Sequence, residues 1–295
     1  MLYDAIIIGR GPAGISAALY TIRANVKTLV IGTDNSAVAK ADKIENYFGF
    51  SQPVTGKMLF EEGQRQVERI GGEIKEEEVI GIEKEDTFAV KTTKGIYRAL
   101  TVLIAAGQKI SNPKILNLNK FEGKGVSYCS TCDGFFYRGK NIGVLGFKDY
   151  ALHEAEELTP FTRNITLFTN GRKTEFSIES AHLKEKFSIN EKPIKAFEGD
   201  GYIEKIVFED GTEYPLDGIF IAYDSASAIT FALKLGILTQ NQAIQVNQNQ
   251  ETNIEGLFAA GDCTGIFKQI SVAVGQGAIA GRQMIEYVRR HRKVK

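Results

Sequence analysis

Cysteine is scarce in this chain: there are 3 in 295 residues, too few for the disulfide framework of a secreted protein. Histidine also numbers 3, and His153, His182 and His291 fall at no metal-ligand spacing, so no metal site is expected. Neither sign of charge predominates. Lys plus Arg is 36 and Asp plus Glu is 36, a formal net charge of zero, which excludes a global attraction to nucleic acid or to a membrane surface. A charged partner must therefore be met by a local patch. No apolar run reaches the ~18 residues of a membrane span. No basic segment precedes the apolar run Ala5-Ile6-Ile7-Ile8, as it would in a secretory leader, so a cytoplasmic location is expected. What is present is ordinary for a globular protein, with 43% hydrophobic and 24% charged residues and a length that suits about two domains.

The first segment carries the strongest pattern. Asp4 to Ile8 reads as a β-branched strand, Gly9-Arg10-Gly11-Pro12-Ala13-Gly14 as a turn, Ile15 to Ala24 as a helix and Val26 to Ile31 as a second strand, a βαβ unit. An amphipathic helix is predicted from about Thr55 to Ile70, then strands at Phe88–Thr93 and Tyr97–Ala105. Periodicity breaks between Gly107 and Leu118, which includes Asn112-Pro113. Beyond it, a strand at Asn141–Leu145, Gly146, a helix at Tyr150–Leu158 and a strand at Ile165–Phe168 repeat the opening plan. A second break lies near Thr239–Ala243. A strand at Gly256–Ala260 and a helix from Ser271 to Arg289 then complete the first domain. The predicted fold is α/β, with two Rossmann-like, three-layer ββα nucleotide-binding domains, the second inserted into the first. Residues 1–112 and 242–295 form one domain, and 113–241 form the other.

In the turn, Gly9 makes the tight bend, Gly11 lets the backbone approach a pyrophosphate, and Gly14 lets helix and strand pack closely. The acid that such turns use for the ribose, about 20 residues on, is absent. Gly32 stands in its place, so a ribose contact must come from elsewhere. Cys129-Ser130-Thr131-Cys132 reads either as half a zinc site or as a redox pair. A structural zinc needs four ligands and the remaining cysteine is Cys263, so the redox pair fits better. Asp133 reads as a proton donor and acceptor for the thiols or as a helix N-cap. Asp262, after Gly261, reads as an acceptor for a ribityl hydroxyl or as a helix cap. Cys263 reads as a small buried apolar residue rather than a third redox thiol.

Together Gly9–Gly14, Glu45-Asn46-Tyr47-Phe48-Gly49-Phe50, Ala105-Ala106-Gly107, Gly125–Gly134 and Gly256–Asp262 resemble, in order and spacing, the low-molecular-weight thioredoxin reductases. The resemblance covers nearly the whole chain and extends to Gly32. It implies FAD as cofactor, held by Gly9, Gly11, Pro12, Ala13, Gly14, Asn46, Val79, Ala106, Gly107, Gly261, Asp262, Lys268, Gln269 and Ile270. It implies that Cys132 faces the flavin, that Cys129 attacks the disulfide of thioredoxin or a thioredoxin-like protein, that Asp133 is the acid/base, and that the protein is a homodimer.

Three departures from the resemblance concern one site. The second dinucleotide turn has Lys148 where a glycine must admit a pyrophosphate, flanked by Phe147 and Tyr150. The arginine cluster that would hold a 2′-phosphate is replaced by Thr169-Asn170-Gly171. A segment that should hold glycine reads Ala222-Tyr223-Asp224-Ser225-Ala226-Ser227-Ala228. The chain thus resembles the branch of flavin-dependent ferredoxin–thioredoxin reductases, which implies ferredoxin, a small acidic protein, as electron donor. The run Arg289, Arg290, His291, Arg292, Lys293 and Lys295 offers either a docking patch for it or a solvated tail. Continued use of NADPH or NADH, a second FAD in the vacated site, and an idle FAD-binding scaffold or redox sensor are the competing readings.

Overall fold

The computed structural model describes residues 2–34, 36–108, 113–224, 226–265 and 267–292. The chain divides into two compact units, Met1–Lys109 with Ser227–Lys295, and Ile110–Ala226. Among the described residues no helix is long and apolar enough to cross a membrane.

The first unit is built on β1 (Leu2–Ile8), α1 (Pro12–Arg23), β2 (Thr28–Gly32), α2 (Gly56–Arg69), β3 (Glu73–Glu76), β4 (Val79–Lys84), β5 (Phe88–Thr92) and β6 (Ile96–Ile104). β1 is almost wholly apolar and buried, as a strand covered on both faces must be. The strand order is β3-β2-β1-β6-β5-β4 in a seven-stranded sheet. β3, β2, β1 and β6 run parallel, while β4 and β5 return antiparallel as a meander. α2 begins where Thr55 accepts the backbone N–H of Met58 at 3.1 Å, a side-chain N-cap.

The second unit contains β7 (Val126–Ser127), α3 (Ser130–Asp133), β8 (Ile142–Leu145), α4 (Asp149–Leu158), β9 (Ile165–Phe168), α5 (Ala181–Lys184), β10 (Ser188–Asn190), β11 (Ile194–Glu198), β12 (Lys205–Phe208), β13 (Glu213–Pro215) and β14 (Gly218–Ile221). Its five-stranded parallel sheet has the order β10-β9-β8-β14-β7, and β11-β12-β13 form a separate antiparallel sheet. Phe121, Phe168, Phe197 and Ile219 are completely buried in its core. Each unit thus has a parallel sheet, extended in the first unit by the antiparallel β4 and β5 and accompanied in the second by the separate β11-β12-β13 sheet, and the fold is the α/β, two-Rossmann-domain architecture that the sequence predicts.

The chain then returns to the first unit with α6 (Ala228–Leu235), β15 (Thr239–Gln240), β16 (Ala243–Ile244), β17 (Leu257–Ala259) and α7 (Ile270–Arg292). β17 joins the first sheet beside β6, and α1 and α7 share a core with Ile7, Leu103, Phe258 and Met284. The second crossing differs from the expected one at 241/242. It falls between 226 and 227, because α6 packs on β4 and the segment after it is tied into the same unit. Asn253 accepts the Leu238 N–H at 2.9 Å and donates to the Gly236 carbonyl at 3.0 Å. Asn112, at the first expected crossing, lies outside the described residues, as does Ser225.

Candidate active site

The C-terminal edge of the first sheet gathers three of the segments singled out in the sequence. β1, β6 and β17 run parallel with Ile8, Ile104 and Ala259 in register. The turns that follow them, Gly9–Gly14, Ala105–Gly107 and Gly261–Asp262, therefore emerge side by side, where open α/β sheets bind ligands. The Ala105 N–H donates to the Ile8 carbonyl at 2.7 Å and the Ala260 N–H to the Ile104 carbonyl at 3.0 Å.

The three glycines of the first turn answer to different causes. Gly9 sits at φ +117, and a Cβ there would collide with the Ala105 carbonyl. A Cβ on Gly14 would collide with the Gly9 carbonyl. Nothing in the chain itself demands the second: at Gly11 φ is −79 and the nearest atom to a Cβ would be Ser36 Oγ at 3.7 Å. The open space over Gly11, beside an α1 N-terminus with no side-chain cap, fits an entering pyrophosphate. Asn46 donates to Gln269 Oε1 at 2.8 Å, joining two further expected contacts that lie 223 residues apart in sequence. Lys268 is exposed, Ile270 is half-buried, and Val79 is buried at the first position of β4. These residues fit FAD.

The redox centre lies in the second unit. Cys129 and Cys132 form a disulfide, with Cα atoms 5.3 Å apart. Cys129 caps α3, its sulfur accepting the Cys132 N–H at 3.1 Å. Cys129 is buried and Cys132 exposed. Asp133 is the last residue of α3 and the cap position of the 3-10 turn that follows, but its side chain makes no capping hydrogen bond. Its carboxylate accepts the Ser127 hydroxyl at 2.6 Å, and the same hydroxyl accepts the Cys129 N–H at 3.1 Å. Ser127, which lies inside the Gly125–Gly134 motif but to which the sequence assigned no role, thereby fixes carboxylate and cysteine together. On the other side, Ser130 donates to Glu157 Oε2 at 2.6 Å, tying the redox turn to α4. Cys263 is a third, free cysteine, buried in the first unit. Burial pushes its thiol up to about 12, which leaves it protonated and inert at neutral pH. Asp262 opens a 3-10 turn whose preceding cap position is Gly261, and it is half-buried beside the cofactor edge. Among the described residues no group of His, Cys, Asp or Glu could hold a metal ion.

The second dinucleotide turn keeps its first glycine and fills the rest. Gly146 still follows β8, and a Cβ there would meet the Ala151 Cβ at 2.6 Å. Lys148 occupies the cap position of α4, and its ammonium pairs with Asp224 and, at 3.7 Å, with Glu175. Phe147 is buried, edge-on to Tyr223 at 5.2 Å, with the Arg172 guanidinium 4.9 Å above its ring. Thr169 is also buried, and Asn170, at φ 53, accepts the Ile194 N–H at 2.7 Å. The residues that replace the phosphate-binding arginines thus shape a backbone turn.

Comparison with known proteins agrees with this layout. Residues 3–277 match the family model described as pyridine nucleotide-disulphide oxidoreductase. The chain belongs to that family. It is 34% identical to the thioredoxin reductase of Bacillus subtilis (strain 168), over 97% of this chain and 95% of that one. The crystal structure of the atypical thioredoxin reductase TRi from Desulfovibrio vulgaris Hildenborough aligns with a TM-score of 0.94 and 40% identity, covering 98% of each chain. A ferredoxin-flavin thioredoxin reductase from Clostridium acetobutylicum aligns with a TM-score of 0.73 and 31% identity, over 98% of this chain and 99% of that one. The protein is a flavin disulfide oxidoreductase of the thioredoxin reductase type, and FAD is its cofactor.

Proposed function

We propose that this protein reduces the disulfide of a thioredoxin or thioredoxin-like protein through Cys129 and Cys132, with electrons from reduced ferredoxin rather than from NADPH. The observation that carries the choice of donor is the filled second turn. A dinucleotide pyrophosphate needs bare backbone and helix N–H groups. Here the Lys148 side chain and two carboxylates, Asp224 and Glu175, occupy that ground, and the carboxylates repel an anion. Similarity to a protein described as a ferredoxin-flavin thioredoxin reductase supports the same reading.

FAD supplies a carrier that can accept electrons singly and pass them on as a pair. Gly11, the first turn of α1, Ala106, Gly107, Asp262 and the Asn46–Gln269 pair are the groups we assign to holding it. Two electrons and two protons open the Cys129–Cys132 disulfide to two thiols, Cys132 being the sulfur met by the cofactor. Cys129 then attacks one sulfur of the substrate disulfide, the other sulfur leaves and takes a proton, and Cys132 closes the ring on Cys129 to release the reduced substrate. Asp133, held by Ser127, is the group we assign to carrying the proton.

The test is anaerobic. Oxidised flavoprotein is mixed in turn with NADPH, NADH and reduced ferredoxin while the visible flavin absorbance is followed. Bleaching by ferredoxin alone is the expected result. Rapid bleaching by NADPH at micromolar concentration would overturn the choice of donor and leave an NADPH-dependent reductase. Two FAD extracted per chain would instead assign the second turn to another flavin.

A further inference from the structure

Two carboxylates hold the redox turn, and the one on α4 has no part in the chemistry above. α3 is four residues long, too short to stand on its own hydrogen bonds. The Asp133 N–H closes it onto the Cys129 carbonyl at 3.1 Å, and the disulfide spans the same residues. When the disulfide opens to two thiols, that cross-link is gone. The turn must then be kept in place by what it packs on. Asp133 is held by Ser127. The second hold comes from α4 and the residues just past it. Ser130, between the two cysteines, is 0% exposed, and its hydroxyl donates to Glu157 Oε2 at 2.6 Å. A hydrogen bond to a carboxylate is of the stronger kind. Gly134, which ends the turn, presses on the same region: a Cβ there would meet the Phe161 ring at 2.8 Å and Leu158 Cδ2 at 3.1 Å. Leu158 is itself completely buried.

The reducing power of a dithiol pair depends on the effective concentration of one thiol at the other. A turn that stays folded when the ring opens keeps the thiols together, favours the disulfide and lowers the reduction potential. A turn that comes loose lets them part and raises it. We propose that Glu157 is a positioning residue for the redox pair: through Ser130 it holds the opened turn on α4 in the geometry of the closed ring, and so keeps Cys129 and Cys132 a strong reductant. Ring closure and the Ser130–Glu157 bond then support one another, since such coupling is reciprocal. Glu157 acts on the cysteines through the serine between them. The inference rests on Cys129 and Cys132 being the pair that carries electrons to the substrate.

The experiment equilibrates the FAD holoenzyme anaerobically with mixtures of reduced and oxidised dithiothreitol, quenches with acid, and counts thiols by mass after alkylation of the denatured chain. Each dithiothreitol gives two electrons and two protons to the protein disulfide and leaves as its own cyclic disulfide. Cys263 is alkylated in both states and serves as the internal constant. Ser130→Ala and Glu157→Leu each remove the bond. Each should move the equilibrium toward the dithiol about fivefold, the low end for a bond to a charged acceptor because Glu157 is exposed. The double variant should move it no further than either single one, since all three lose the same bond. Glu157→Gln keeps an acceptor oxygen for Ser130 and should stay within about twofold of the wild type. A wild-type equilibrium in both Ser130→Ala and Glu157→Leu would overturn the proposal, even if both variants unfold more easily, because the bond would then be structural alone. Glu157→Gln shifting as far as Glu157→Leu would overturn it too, since charge rather than the bond would be acting. A wild-type disulfide that no dithiothreitol mixture opens would overturn the assignment of the redox pair itself.

Discussion

At the scale of single residues, the redox turn is governed by who donates to Asp133. Ser127 Oγ gives that carboxylate a 2.6 Å hydrogen bond, which fixes its position beside the disulfide. Replacing Ser127 with alanine removes the donor that holds the carboxylate beside Cys129, and should slow thioredoxin reduction about tenfold. Asp133→Asn removes the group altogether and should slow that step about 100-fold, the usual worth of a positioned acid/base, with the rate of flavin reduction unchanged. Rapid-mix measurements on both variants decide it: a wild-type rate in Ser127→Ala, beside a slow Asp133→Asn, would leave Asp133 active but not held by Ser127. The same scale shows what the sequence made plain and what it hid. Cys129, Cys132 and the glycines at 9, 11 and 14 announce themselves because few residues can do their work. Ser127 does not, because a lone serine is ordinary until the fold buries it beside its partner.

At the scale of elements, legibility followed the length and apolarity of each segment. β1, β9, α2 and α4 were read within a few residues because their burial imposes a clear period. β3, with the sequence Glu-Ile-Lys-Glu, and β10 to β13 were not, because they are short, charged and partly exposed. Their strand character comes from pairing partners rather than from local pattern. The misplaced crossing near 241 has the same origin, since α6 belongs to the first unit only through its contact with β4. α4 also carries a titration that can be checked. Burial lowers the pKa of His153, against the opposite pull of Asp149, Glu157 and Glu156 and with a smaller lowering from His182, and its Nε2 has no hydrogen-bond partner. A histidine held neutral in the folded state contributes stability that is present above its unfolded pKa, about 6.5. That contribution is lost as pH falls from there through the folded value. Urea unfolding of the wild type and His153→Gln between pH 7.5 and 5 should converge as pH falls. A gap between them that stays constant with pH would show that His153 is not held neutral by the fold.

At the scale of the whole molecule, zero net charge means that the ferredoxin donor proposed above, an acidic protein, would have to be met by a local field. α7 supplies one in its last turn, where Arg289, Arg290, His291 and Arg292 follow one another. The structure divides this set. Arg292 is committed to Asp4, pairing with its carboxylate across 288 residues of sequence, and so fastens the end of α7 to β1. His291 stacks on Tyr287 with ring centroids 4.0 Å apart. Lys293 and Lys295 lie outside the described residues. Arg289 and Arg290 are exposed on the helix, and they are the pair that an acidic surface would meet. Their helical setting holds these charges in order, so they would lose less entropy than a frayed tail if an acidic partner bound. Charge reversal of both, Arg289→Glu with Arg290→Glu, should slow ferredoxin-driven flavin reduction at low salt by about tenfold or more and flatten its dependence on ionic strength. The same variant should accept electrons from dithionite, a small chemical reductant, at the wild-type rate. Arg292→Glu should instead lower thermal stability by breaking its tie to Asp4, with a smaller effect on coupling. Equal ferredoxin rates in the double variant and the wild type, at every salt concentration, would move the docking surface off α7.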